Sequence, residues 1–416
     1  MKDMSKDQNC RSPRRPPIES ECDGCASKPR ILISIDGFYD GGAEMFAIRL
    51  ANSLYTYADV SFLALRPWFS KNSRQENLLD QRHVSLINLT GSGWRDFFLK
   101  CLLHVCWRLR LGKLRDWAFR WRLRFVTEQH KIQIVHSHCW ETDKAFASIR
   151  RRASFKLVSS FHGHYELPAE AEDQFGNESR SQLDQIDMVV YLSPRHQATL
   201  DKYAVPVAKR VKIFYGITSQ LVRYPTKYEV HEKLRLVMVG RGIPEKGWAD
   251  TLEAVDALNR EFGDVVSIDL LGTGQELDRL RTQYANAASI RFLGYCDDVI
   301  PIVKQAHIGL CPSYYAAESL PNAVIEYLIC GKPVIATDVG AIREMITHDG
   351  EVAGIVLPLN SDGRVTSAMV KTAVLQFLTD RAKVEQDSMI ALKAAAKFEM
   401  VACIAEYVKL YNALLS

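Results

Sequence analysis

The sequence predicts an α/β protein made of two doubly wound parallel-sheet domains that face each other across a cleft. Three observations carry that expectation. The chain has 416 residues, 47% of them hydrophobic, enough material for two cores. Short apolar runs alternate with amphipathic stretches, the pattern of parallel strands covered by helices on both faces. The alternation pauses at the polar stretch TSQLVRYPTKYEVHEK, residues 218 to 233, and then restarts.

Taken in order, residues 1 to 28 read as a disordered tail, polar and without the continuous apolar segment of a signal peptide. Cys22 and Cys25 form a C-x-x-C pair there, but no second pair completes a zinc site; the ten cysteines read as reduced thiols. The first domain, 29 to 217, opens with the strand RILISID. The stretch GGAEMFAIRLANSLYTY follows, with Met45, Ile48, Leu50 and Leu54 on one helical face. DVSFLAL, IQIVHSH, KLVSSFHG, MVVYLS and VKIFYGI read as its further strands. In the second domain, 218 to 398, the strands are LRLVMVGR, VSIDLLGTG, IRFLGY, IGLCPS, PVIATD and AGIVLP. WADTLEAVDALNREF and QELDRLRTQYA are helices between them. The last segment, 399 to 416, places Val401, Ile404, Val408 and Tyr411 on one helical face, with Phe398 and Leu415 near the ends. That stripe has no place in the second sheet.

A net charge of +4 is too small to imply nucleic-acid binding by the whole chain. No run of 18 apolar residues exists, so no membrane span is expected and the location reads as cytoplasmic. The charge is concentrated in residues 94 to 124, where nine Lys or Arg stand against two Asp. Trp94, Trp107, Trp117 and Trp121 lie in the same stretch, and Trp107, Leu111, Leu114, Trp117 and Trp121 recur at helical spacing. Such a helix suits an anionic membrane surface, which would make the protein peripheral on the inner face of the membrane. The alternative is a stripe that packs on the first sheet while the arginines solvate its outer face.

Ligands of open parallel sheets bind beyond the carboxyl ends of the strands. After IGLCPS comes the loop YYAAES, and a helix is expected from Ser319 or Leu320 with Pro321 in its first turn, its free N–H groups favouring an anion. Glu318 and Glu326 flank that start. Two acids would repel a phosphate but could address hydroxyl groups of two rings of one ligand; helical rise gives roughly 12 Å between them. The plainer reading is a loop acid and a solvated helix acid. Arg241, directly after VMVG, and Lys246, in an E-K-G turn, sit at a strand's carboxyl end and suit a diphosphate; otherwise they are surface charges of a βα loop. Gly41 and Gly42 allow close backbone approach ahead of a helix. His136, His138 and His164 form two H-x-H pairs, a metal-ligand spacing, yet no Cys or acid completes a site, so they read as strand-end and loop histidines. The sequence has no D-x-D triplet, so no cofactor or metal is expected.

The stretch PSYYAAESLPNAVIEYLICGKPVIATDVGAIREMI closely resembles the signature of retaining GT-B glycosyltransferases, glycosyltransferase family 4. VGRGIPEKGWADTLEAV, LLGTGQELDRL and IRFLGYCDDVIPIVKQAHIGLCPS extend the resemblance over residues 234 to 358, and DGFYDGGAEMFAIRLANSL, IVHSH and SSFHGH carry it more weakly in the first half. The resemblance implies that Glu318 meets the donor sugar's hydroxyls, Glu326 the ribose, and Arg241 and Lys246 the diphosphate. It makes His162 a cleft residue near the sugar, and Gly41, Gly42, Ser319, Leu320, Asn322 and Gly272 donor-binding positions. The family's final helix crosses back onto the first domain. Tyr215 stands where the family often has Asn, and Ser319 where it often has Gly. The implied activity is retaining hexosyl transfer from a nucleotide sugar to a glycan or lipid-linked acceptor in surface polysaccharide or lipopolysaccharide synthesis. A sugar-nucleotide epimerase and a non-catalytic nucleotide-sugar binder are the alternatives.

Overall fold

The computed structural model describes residues 28–39, 41–65, 73–89, 112–162, 180–218, 224–229 and 232–416. Cys22, Cys25, Trp94, Trp107, Leu111 and His164 lie outside them. The first sheet has strands β1 (Arg30–Ile35), β2 (Asp59–Ala64), β3 (Val84–Ile87), β4 (Ile134–Ser137), β5 (Lys156–Ser160), β6 (Met188–Tyr191) and β7 (Arg210–Lys212) in the order β3-β2-β1-β4-β5-β6-β7, every pair parallel. The second has β8 (Leu234–Val239), β9 (Val266–Leu271), β10 (Ile290–Gly294), β11 (Ile308–Cys311) and β12 (Val334–Thr337). A hairpin of β13 (Thr347–His348) and β14 (Glu351–Val352) precedes β15 (Gly354–Leu357), and the sheet order is β10-β9-β8-β11-β12-β15, again all parallel. Both sheets change winding direction beside their first strand, between β1 and β4 and between β8 and β11. A crevice forms there at the carboxyl ends.

Helices α1 (Gly42–Leu54), α3 (Trp248–Phe262), α5 (Asn322–Ile329) and α6 (Met400–Leu415) stand around the region between the sheets, while α2 (Gly112–Gln129) and α4 (Ile300–Gln305) lie away from it. The buried residues of α1, Phe46, Ala47, Ile48, Leu50, Ala51 and Leu54, centre its apolar face on Leu50, and Met45 stays partly exposed. In α5, Tyr327 is fully buried, and its hydroxyl donates to Leu310 O at 3.2 Å while accepting from Val239 N at 2.9 Å. Gly309 makes room for that ring, since a Cβ there would lie 2.3 Å from it.

Expected and observed elements differ in several places. VKIFYGI is a strand only over Arg210–Lys212, because Ile213, Tyr215 and Ile217 turn into the core between the domains. β3 and the β13–β14 hairpin are too short to show a period, and the sequence reading passed over them. The buried side of α6 is Met400, Cys403, Ile404, Tyr407, Leu410 and Tyr411, so the face is rotated from the expected stripe and Val401 is 66% exposed. Tyr407 and Tyr411 are the two largest side chains on the helix, and both lie on the buried side.

Helix α6 lies against α1 of the first domain although it follows the second in sequence. Tyr411 Oη meets His136 Nδ1 at 2.7 Å, and Tyr407 Oη meets Ser160 Oγ at 3.3 Å. Ile217 N donates to Phe398 O at 2.9 Å and Met400 N to Ile217 O at 3.2 Å. Gly216 is required where the two segments meet: a Cβ would stand 2.7 Å from Met400 Cα and from Cys403 Cβ. One apolar cluster runs from Ile31 and Phe46 through Tyr215 to Val324 and Tyr407, joining both domains.

Candidate active site

The site is assembled where loops leaving β8 and β11 meet the start of α1. After β8, residues Pro244–Lys246 form a 3-10 turn, and Gly247 takes φ +78° to start α3; a Cβ there would stand 2.4 Å from Pro312 O. This aims Lys246 at the loop after β11. Lys246 Nζ makes an ion pair with Glu318 Oε2, and both side chains are largely buried. Ser313 Oγ donates to the same oxygen at 3.0 Å. Arg241 stays exposed, its guanidinium 5.1 Å from the Tyr315 ring centre, and Lys246 Nζ lies 5.5 Å from that ring. Two cations, a carboxylate and an aromatic face thus converge from distant segments, Lys246 and Glu318 being 72 positions apart. Fixed cations at a strand's carboxyl end can take up charge developing on a departing diphosphate.

Helix α5 starts at Asn322 with Pro321 as its N-cap, later than expected. Ser319 therefore does not cap it; its Oγ donates to His162 O in the first domain, and Leu320 is buried in the shared core. The loop holding Glu318 is not helical, so helical rise does not give its distance from Glu326. Gly340, at φ +60°, supports this loop, because a Cβ would stand 2.6 Å from Glu318 O and from Ser319 O. Across the cleft, a Cβ on Gly42 would stand 3.3 Å from Asn322 Nδ2, so the N-termini of α1 and α5 approach each other. Gly41 is the N-cap of α1. Gly272 has φ +150°, and a Cβ would stand 1.9 Å from Gly240 O: this glycine lets the two βα turns of the second domain pack backbone on backbone.

Glu326 is largely buried, and burial pushes its carboxyl above the usual range although Arg49 of α1 opposes the shift. Burial likewise lowers Arg49, with Glu326 opposing. The pair faces across the domains, so Glu326 is no solvated helix acid. Glu44 in the first turn of α1 is also raised, by burial first and by the nearby Asp36 carboxylate to a smaller degree. Arg49, Glu44, Tyr315 and Gly340 were absent from the sequence reading. The acid two positions after Gly42 was the one signal available.

His162 is drawn into a buried polar chain. Its Nε2 lies 2.8 Å from His138 Nδ1, and its Nδ1 bonds the Tyr215 hydroxyl. Tyr215, which stands where the family often has Asn, stacks on Phe46 of α1 at 4.3 Å. His136 Nε2 meets Ser160 Oγ at 2.8 Å. Burial lowers all three histidines, His136 to about 3 and His138 and His162 well below their ordinary value, and their mutual proximity adds to the effect. The unfolded chain binds these protons near pH 6.5 while the folded chain does not. The stability is therefore complete above about pH 6.5 and is lost as pH falls toward 3, each group contributing up to about 1.4 kcal/mol per pH unit. The melting temperature is expected to drop between pH 7.5 and 5 and to drop less in His136→Gln. A flat profile would show that the three histidines protonate in place. Among the described residues no group of three or more His, Cys, Asp or Glu could hold a metal ion.

Two facing parallel-sheet domains with the site between their carboxyl edges define the GT-B architecture. The model of Glycosyltransferase Family 4 matches residues 41–218, and that of Glycosyl transferases group 1 matches 233–374. The chain belongs to glycosyltransferase family 4. A phosphatidyl-myo-inositol mannosyltransferase of Mycolicibacterium smegmatis is 28% identical over 43% of this chain and 50% of its own length. The amylovoran biosynthesis glycosyltransferase AmsK of Erwinia amylovora is 24% identical over 56% and 60%. The chain thus spans about half of the curated relatives it matches. Among solved structures, a glycosyltransferase from Rickettsia africae superposes with a TM-score of 0.70 at 16% identity, covering 94% of this chain and 100% of that one. Anabaena Alr3699/HepE in complex with UDP and glucose gives 0.69 at 18%, covering 92% and 100%.

Proposed function

We propose that this chain transfers a hexose from a nucleoside diphosphate sugar to a glycan or lipid-linked acceptor, with retention of anomeric configuration and without a divalent metal. The observation that carries the proposal is the convergence of Arg241, Lys246 and Glu318 at the mouth between the two sheets. The cations receive the diphosphate, and Glu318 addresses sugar hydroxyls beside Ser313. Glu326, with the Arg49 charge nearby, addresses the ribose from the middle of α5. The UDP and glucose of the Anabaena structure support a nucleotide-sugar donor, and relatives named for phosphatidyl-myo-inositol and for amylovoran support the acceptor classes. The test is a thermal-shift series with UDP, GDP and ADP sugars: a donor at 100 times its Kd stabilises by about 2.7 kcal/mol. Glu326→Gln is expected to weaken the best donor about tenfold, the loss of one charge-assisted hydrogen bond. Unchanged donor affinity would return Glu326 to a structural role, and no response to any nucleotide sugar would remove the proposed activity.

The reaction is placed at the cytoplasmic face of a membrane, in the synthesis of surface polysaccharide or lipopolysaccharide. Among the described residues no helix is long and apolar enough to cross a membrane. Helix α2 buries Ala118, Leu123 and Val126 and leaves Leu114 43%, Trp117 59% and Trp121 51% exposed, beside exposed Lys113 and Arg120. The described part of the stripe, Leu114, Trp117 and Trp121, thus lies on the outer side of the helix. A surface of this composition suits anionic headgroups. Replacing Trp117 and Trp121 with Ser is expected to abolish flotation with anionic vesicles while donor binding persists; unchanged flotation would overturn the membrane contact.

A further inference from the structure

A cavity of about 330 Å³ opens at the amino-terminal edge of the second sheet, the edge opposite the donor site. That volume is within the range of small-molecule sites. Arg235 of β8, Lys304 of α4, His307 before β11 and Lys332 before β12 line it, and Thr226 and Lys227 of the interdomain linker close it. Four lining side chains are cationic and none is a carboxylate.

Local partners satisfy only part of this charge. Arg235 bonds Glu232 at 3.3 Å and Gln305 O at 2.7 Å, and His307 stays neutral, lowered to about 4 by burial and by Arg235. Three ammonium groups remain. Lys332, only 5% exposed, donates to Thr226 Oγ1 at 3.0 Å and to Lys304 O at 2.9 Å, leaving its third N–H. Burial lowers Lys332 to about 8, and Arg235 and Lys304 push in the same direction. Lys304 and Lys227 are exposed and stand in no ion pair among the described residues. A buried ammonium among like charges is costly, and a multivalent anion would supply the missing counter-charge.

We propose that this cavity binds a phosphate-bearing small molecule between Lys304, Lys227 and Lys332. The linker side of the cavity is already held to the second domain, since Thr226 donates its N–H to Ser388 Oγ at 2.6 Å and its hydroxyl to Gly331 O at 2.9 Å, which keeps Lys227 beside the two other lysines. The test is calorimetric titration of the full chain with pyrophosphate. Because pyrophosphate also suits the donor site, the titration is repeated in Arg241→Ala, where a binding event is expected to survive. In Lys304→Ala that event is expected to weaken about tenfold, and further in the double variant with Lys227→Ala. Vesicles containing phosphatidic acid form a second arm: binding that needs Lys304 and Lys227 there, without a pyrophosphate response, assigns the phosphate to a lipid headgroup. Unchanged pyrophosphate binding in the lysine variants, equal binding of sulfate at matched ionic strength, or no response in either arm would overturn the site. A pyrophosphate event that is lost in Arg241→Ala and kept in the lysine variants belongs to the donor site, so the two sites are read separately.

Discussion

Replacing Lys246 with Ala is expected to lower turnover by roughly a hundredfold or more and to destabilise the protein at the same time, whereas Arg241→Ala lowers turnover alone. The first effect is common to both because each removes a fixed cation whose value rises as charge develops on the leaving diphosphate. The second separates them. Lys246 and Glu318 form a largely buried pair, and removing one partner leaves the Glu318 carboxylate with Ser313 as its remaining hydrogen bond. Stranding a buried charge costs about 3–5 kcal/mol. Arg241 is exposed and rests on Tyr315, so its loss leaves no charge buried. Steady-state kinetics with calorimetry reads both quantities. Wild-type turnover in both variants would sink the diphosphate assignment, and equal melting temperatures would show that the pair is open in solution.

Deleting residues 399 to 416 is expected to unfold the first domain and abolish transfer although every residue proposed to bind the donor is retained. The deletion removes six buried side chains of α6, each worth about 1.5–3 kcal/mol, a sum on the order of a whole domain's stability. It also leaves His136 Nδ1 and Ser160 without their tyrosine partners and uncovers the face of α1 that packs on α6. A milder variant, Tyr411→Phe, is expected to cost about 1–3 kcal/mol by leaving the His136 nitrogen unsatisfied. Hydrogen exchange in β1, β4 and β5 distinguishes loss of this domain from loss of the whole protein. A truncated chain that melts and turns over like the full one would show α6 to be dispensable. The same helix, with the linker, ties the domains at two places, an arrangement expected to restrict them to hinge closure.

Local pattern made the two sheets legible and pointed to four residues of the candidate site. Strand runs such as LRLVMV and IGLC are continuous and apolar because both faces of their sheet are covered, and that follows from composition alone. Arg241, Lys246, Glu318 and Glu326 could be placed at carboxyl ends and a helix start because strand ends and turn residues are local features. What the sequence could not determine was which of these groups meet. The Lys246–Glu318 pair spans 72 positions, Ser319 reaches His162 across 157, and Tyr411 reaches His136 across 275. No periodicity encodes such distances. Tertiary packing also decided the orientation of α6 and α2: neighbouring helical faces overlap in sequence, and only the partner surface selects Tyr407 for burial and leaves Trp117 and Trp121 outside. The same holds for charge. Glu326 reads as an ordinary helix acid until Arg49 of the other domain stands opposite it, because desolvation is a property of the assembled interface and of no single segment.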